Sequence, residues 1–253
     1  MLYNATLNDG FIISLLNLTR YYGITQNPKT KDFIIIMKYY KYDLKNFITK
    51  NFYNIEWNNK LILLRQIINA LHNIHYQGII HRDLHSGNIL CDNEYDVVIS
   101  DLGISKLSTE ISVNENEYYG IIPYIAPEIF QGQKSNKYTE ESDIYSFGII
   151  MWEIMIGKRP FWDHNYDTDL IIKICDGIRP PIITNAPEGY IKLMEKCWHP
   201  DPNKRPATVA ILEFIDKIIL NEEKNPTKII YSLDIGPMNE DCLESTNRRI
   251  YSK

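Results

Sequence analysis

His81-Arg82-Asp83-Leu84-His85-Ser86-Gly87-Asn88 decides the reading of this 253-residue chain. It sets an aspartate and an asparagine five positions apart on a short loop and runs directly into the apolar Ile89-Leu90-Cys91. Outward from it, Asp101-Leu102-Gly103 begins ten residues after Cys91, and Ala126-Pro127-Glu128 follows later. Each piece alone is weak. A loop aspartate is usually a turn former or a helix cap, and Asp-Leu-Gly usually marks a tight turn. What sets them apart is their joint order and their intervals.

In that order they resemble the catalytic loop, the metal-binding loop and the end of the activation segment of a protein kinase. Further stretches agree. Gly120-Ile121-Ile122-Pro123-Tyr124-Ile125-Ala126-Pro127-Glu128 is similar to a kinase substrate-binding stretch, and Ser142–Gly148 to the start of the buried central helix of the large lobe. Cys197–Pro206 is similar to the run whose arginine, here Arg205, pairs with the glutamate of Ala-Pro-Glu, here Glu128. The likeness extends from about Leu18 to about Leu220 and is greatest to the tyrosine-kinase-like group, whose members mostly phosphorylate serine or threonine. It implies an α+β kinase-like fold, with a mainly helical large lobe and a small β lobe that is truncated here. By resemblance, Asp83 is the base toward the substrate hydroxyl, and Asn88 and Asp101 hold Mg²⁺ against the phosphates of ATP. Arg82 would receive a regulatory phosphate. Met37 gates the adenine pocket, Tyr39 and Tyr40 lie in the hinge after Lys38, and Leu90 packs beneath the base. Tyr124 favours serine and threonine acceptors. His85 stands where such kinases usually place a lysine, and Ile121 replaces a threonine.

The front of the chain departs from the pattern. A kinase small lobe needs a glycine-rich loop, a phosphate-gripping lysine and a helix glutamate. Here the first lysine is Lys29, the only glycines before it are Gly10 and Gly23, and Asp9 is the only acidic residue before Asp32. What remains reads as two strands, Tyr21–Thr25 and Phe33–Met37. Two strands make a marginal sheet with an apolar edge. The expectation is a missing upstream segment, or a partner, that completes the lobe, with weak nucleotide binding and little turnover by the chain as given; the alternative is a non-catalytic, kinase-like binding module.

Three regions are expected: residues 1–40 as small-lobe remnant and hinge, 41–220 as large lobe, and 221–253 as a flexible tail. With 44% hydrophobic content the chain can bury a real core. A net charge of −5 without basic runs argues against nucleic-acid binding, leaving a protein substrate as the expected partner. Four scattered cysteines without Cys-x-x-Cys spacing fit reduced thiols in the cytoplasm. The most apolar segment, Ile144–Ile156, is too short for a membrane span and belongs in a core. Apolar positions 61, 64, 67, 68, 71 and 74 predict a helix over 58–76. Further helices are predicted over 143–157, 168–176, 189–197 and 207–220. Ser105, Ser108, Thr109, Ser112, Tyr118 and Tyr119 lie in the segment between Gly103 and Pro123, where phosphorylation would act.

Overall fold

The computed structural model describes residues 19, 21–93, 95–107, 118, 120–132, 138–230 and 234–237. Strands β1 (Tyr21–Gln26) and β2 (Phe33–Met37) pair antiparallel, from Tyr21 opposite Met37 to Gln26 opposite Phe33. Asn27 closes their turn by accepting the Lys29 N–H at 2.9 Å. Every residue of β1 is exposed, and Phe33 remains 75% exposed. Among the described residues nothing covers the apolar face of this pair, as the two-strand reading anticipates.

The chain then enters its core through β3 (Tyr42–Asp43) and helix α1 (Leu44–Asn51), whose N-cap Asp43 accepts the Asn46 N–H. Helix α2 (Trp57–Tyr76) buries Leu61, Leu64, Ile67, Ile68, Leu71 and Ile74, the face its apolar spacing predicts. After it come β4 (Ile79–Ile80), β5 (Ile89–Asn93), β6 (Asp96–Ile99) and β7 (Lys106–Leu107). Strands β3, β5 and β6 form one antiparallel sheet in that order, and β4 pairs with β7. Helix α3 (Pro127–Phe130) precedes α4 (Glu140–Ile156), which is buried without interruption from Ser142 onward. A reciprocal Thr139–Ser142 capping box starts α4 three residues before the predicted boundary, and acidic Glu140, Glu141 and Asp143 suit its positive N-terminal end. Helices α5 (Thr168–Cys175), α6 (Tyr190–Cys197) and α7 (Thr208–Glu222) complete the core, with α7 against α2 and α6 against α4. The arginine–glutamate pair forms as expected. Arg205 donates from Nη1 to Glu128 Oε1 at 2.6 Å and from Nη2 to Oε2 at 2.7 Å. Its Nε reaches the His199 carbonyl at 2.8 Å.

The tail needs correction. Helix α7 continues to Glu222, and Thr227 donates its N–H and hydroxyl back to that carboxylate at 2.7 Å each. Ile235 is 4% exposed, its carbonyl accepts the Tyr53 hydroxyl at 2.8 Å, and the Gly236 N–H reaches the Ile156 carbonyl at 2.7 Å. One apolar side chain with two hydrogen bonds holds a stretch that composition alone marks as free. Residues 238–253 lie outside the described set.

One core residue sits against its own chemistry. Lys60 is 3% exposed, its Nζ has no hydrogen-bond partner among the described residues, and it lies 3.9 Å from the centroid of the Phe52 ring. Burial pushes its ammonium down to about 7. The folded pKa is depressed below the unfolded value, so stability falls as pH drops through this window and the deficit is complete below about 7. The shift corresponds to roughly 4–5 kcal/mol, of which cation–π attraction recovers about 2 kcal/mol. Lys60→Met is therefore expected to raise unfolding free energy by roughly 2 kcal/mol at neutral pH and by much less near pH 10. Denaturant titrations at the two pH values check this; an equal gain at both would contradict it.

Candidate active site

The catalytic loop is held from beneath. Asp143, 1% exposed in the first turn of α4, accepts the His81 N–H at 2.8 Å and the Arg82 N–H at 3.0 Å. Its Oδ2 also takes the His75 Nε2 proton at 2.9 Å. One buried carboxylate thus satisfies two backbone donors and a ring donor, which fixes where the loop begins. Arg82 passes through a left-handed backbone conformation at φ 73°. His81 is fully buried, which lowers its pKa and keeps the ring neutral. Its Nε2 donates to the Ser100 carbonyl at 3.0 Å, and its Nδ1 accepts the Asp83 N–H at 3.3 Å.

These constraints bring Asp83 and Asn88 into contact and tie the segment before Asp101 to Asn88. The Asn88 amide donates to the Asp83 carbonyl at 2.8 Å and to Asp83 Oδ2 at 3.3 Å, leaving Asn88 Oδ1 as an acceptor. The Asn88 carbonyl in turn takes the Ser100 N–H at 2.8 Å and the Ser100 hydroxyl at 2.9 Å, so Asp101 follows directly on a residue locked to Asn88. Asp101 is exposed at φ 61°, and its Oδ1 accepts the Gly103 N–H weakly at 3.4 Å. Thr19 anchors this corner by donating its N–H and hydroxyl to the Ile99 carbonyl. A free amide oxygen and an exposed carboxylate on adjoining segments are hard oxygen donors, the type Mg²⁺ takes alongside water and phosphate. The residues present fit that ion.

Two glycines make room for the aspartate and its neighbour. Gly120 sits at φ +113°, where a Cβ would lie 3.2 Å from Asp83 Oδ1. Gly87 donates to His85 Nδ1 at 3.0 Å, and a Cβ there would press to 2.8 Å on the imidazole. With Nδ1 accepting, the ring proton sits on His85 Nε2, which faces Asp83 Oδ1 at 3.6 Å. His85, at the position where the resemblance expects a lysine, thus stands beside Asp83 at a separation longer than a hydrogen bond.

The remaining expected residues are more open. Tyr39 is 85% exposed, Met37 and Leu90 are half-buried, and Tyr40 packs beneath Lys38, whose Nζ is 4.4 Å from its ring centroid. Lys38 is tied to Asp96 at 2.9 Å and Asp92 at 3.2 Å across the β5–β6 turn. Arg82 donates to the Ile104 carbonyl at 3.2 Å and lies 4.7 Å from the Tyr138 ring centroid. Of the hydroxyls in the activation segment, Ser105 donates to the Leu102 carbonyl at 2.7 Å and Tyr118 packs on Phe130. Ser108, Thr109, Ser112 and Tyr119 lie outside the described residues.

Sequence reasoning missed three contributors. Asp143 and His75 act through partners some sixty residues away. Glu153 accepts from Ser86 Oγ at 2.9 Å and from the Tyr124 hydroxyl at 2.7 Å, joining α4 to both the catalytic loop and the substrate stretch. Its three per cent exposure pushes the carboxyl up to about 7, against the pull of those two hydrogen bonds. A Glu inside an otherwise apolar helix was the available signal.

Comparison with known proteins settles the family. The family model described as protein tyrosine and serine/threonine kinase matches residues 12–215. The chain belongs to that family. A Dictyostelium discoideum protein named "Probable serine/threonine-protein kinase" is 30% identical over 86% of this chain and 13% of its own length. A "Probable LIM domain-containing serine/threonine-protein kinase" of the same organism is 31% identical over 80% of this chain and 30% of its own length. Ephrin type-A receptor 5 of Gallus gallus is 32% identical over 79% of this kinase-family chain and 20% of the receptor. This kinase-family chain thus spans less than a third of the length of these relatives. Among its described residues no helix is long and apolar enough to cross a membrane.

Proposed function

We propose that this chain transfers the γ-phosphate of Mg-ATP to a serine or threonine hydroxyl of a protein. The observation that supports this reading is the Asp83–Asn88–Ser100 linkage: Asn88 donates to Asp83, and its carbonyl holds the residue that precedes Asp101. Asn88 and Asp101 would hold Mg²⁺, which when bound neutralises charge on the phosphate oxygens. Asp83, oriented by Asn88 and facing the His85 N–H, accepts the hydrogen bond of the acceptor hydroxyl and takes its proton. Arg82 offers its guanidinium to a phosphorylated activation segment. Tyr124 and the serine/threonine kinase names of the relatives support the acceptor class. The unpaired Cys91, Cys175 and Cys197 fit a reducing, cytoplasmic setting.

The non-catalytic alternative draws on two observations, the exposed Tyr39 and the uncovered β1–β2 face. Incubation with labelled Mg-ATP and a generic protein substrate, followed by phosphoamino-acid analysis, separates the two. Label on serine or threonine that falls about 10³-fold in Asp101→Asn is expected. Equal labelling by the variant, or no labelling at all, would leave the binding-module reading standing.

A further inference from the structure

Beside the catalytic loop lies a cavity of about 280 Å³ walled by Asp43, Lys45, Ser86, Glu153, Arg159 and Tyr166. His85 and Tyr124 also line it, and His85 Nε2 lies 3.6 Å from Asp83 Oδ1. A cavity of this size holds a side chain with its ionised head.

The charges around it are unequal in availability. Both carboxylates are already engaged. Asp43 accepts the Asn46 N–H at 2.7 Å and the Asn46 side-chain amide at 2.9 Å as the cap of α1. Glu153 uses one oxygen for Ser86 and the other for Tyr124, and its burial holds it partly protonated at neutral pH. The cations are free to donate. Among the described residues Arg159 Nε has no hydrogen-bond partner, and its guanidinium bonds the Trp162 carbonyl at 3.3 Å while lying 5.4 Å from the Tyr166 ring centroid. Lys45 makes no ion pair among the described residues. A buried guanidinium nitrogen with nothing to bond is costly unless a ligand supplies an acceptor.

We propose that this cavity is a substrate subsite for an anionic side chain, an acidic or phosphorylated residue within a few positions of the acceptor hydroxyl, held by Arg159 and Lys45. An extended peptide advances about 3.3–3.6 Å per residue, so a side chain a few residues from the acceptor reaches past His85 into the cavity. Charge-assisted bonds from Arg159 and Lys45 then discriminate against a neutral residue, and the buried Glu153 excludes water from behind. The subsite rests on the kinase reading for its biological role, but its ligand chemistry is readable without turnover.

The test is fluorescence anisotropy on the full chain. Peptides carry alanine at the acceptor position and Glu, phosphoserine, Gln or Lys at each neighbouring position in turn. At one or two positions Glu is expected to bind about 5–10-fold tighter than Gln, and Lys no tighter than Gln. Phosphoserine exceeding Glu identifies a phosphorylated ligand; Glu alone being accepted identifies an acidic side chain. Arg159→Gln and Lys45→Gln should each reduce the Glu-over-Gln ratio to below about twofold. Lys45 lies on a half-buried position of α1, so its variant keeps the test open if Arg159→Gln does not fold. The absence of any position where Glu surpasses Gln, or tighter binding of Lys peptides, would overturn the subsite. Phosphorylation of the matching serine peptides is measured in parallel. Turnover without acidic preference sinks the subsite alone, whereas acidic binding without turnover sinks the kinase reading and leaves the subsite.

Discussion

Asp83→Asn is expected to lower Mg-ATP-dependent phosphorylation by about 10²–10⁴-fold, the usual contribution of a positioned general base. The reason is local. An amide accepts a hydrogen bond from the acceptor hydroxyl but cannot take its proton. The substitution keeps the side-chain volume, and one oxygen remains to accept either Asn88 Nδ2 at 3.3 Å or the His85 N–H facing it at 3.6 Å. The new NH₂ group meets the other donor, a conflict of about 1 kcal/mol. Melting temperature should therefore move by only a few degrees, while initial rates with a protein substrate collapse. Wild-type rates in the variant would remove Asp83 from the role of base.

The second large effect concerns stability. Asp143→Ala strands the His81 and Arg82 N–H groups and the His75 ring proton in a core where water does not reach. Each orphaned donor costs about 1–3 kcal/mol, so a loss of roughly 3–5 kcal/mol is expected, about 10 °C in melting temperature for a domain of this size. Asp143→Asn keeps one acceptor and should lose about half as much. Because the same carboxylate sets the start of the catalytic loop, any folded Asp143→Ala protein should also be inactive. Calorimetry and rate measurements on both variants check the ordering; a melting temperature unchanged in Asp143→Ala would mean the loop is anchored elsewhere.

The contrast between Asp83 and Asp143 explains what the sequence reveals. Asp83, Asn88 and Asp101 lie within a span whose intervals are set by one loop and one hairpin, so their order and spacing carry the resemblance to kinases. Asp143 stands in the first helical turn, where an acidic residue already suits the helix dipole, and its partners are backbone groups that have no residue identity. Helix α2 is legible because its apolar period spans five turns, whereas the eight residues of α1 offer too few repeats to stand out. Phe33–Met37 shows another limit. Its apolar run marks a strand correctly, yet the side chains are largely exposed, because periodicity identifies an element and does not say what lies over it. The subsite residues Lys45 and Arg159 come from different helices and connections, and only the folded arrangement shows that their donors share a cavity with two occupied carboxylates.

Under the proposed function, Asn88, on the loop anchored by Asp143, and Asp101, on the adjoining segment, form one metal-nucleotide site. Titration of Mn²⁺, an oxygen-seeking stand-in for Mg²⁺, into the chain with ATP, followed by electron paramagnetic resonance, tests it most directly. A bound Mn²⁺ signal that needs ATP, persists in Asp83→Asn and disappears in the Asn88→Ala/Asp101→Asn double variant is the predicted result. Equal ATP-dependent Mn²⁺ binding by wild type and double variant would contradict it.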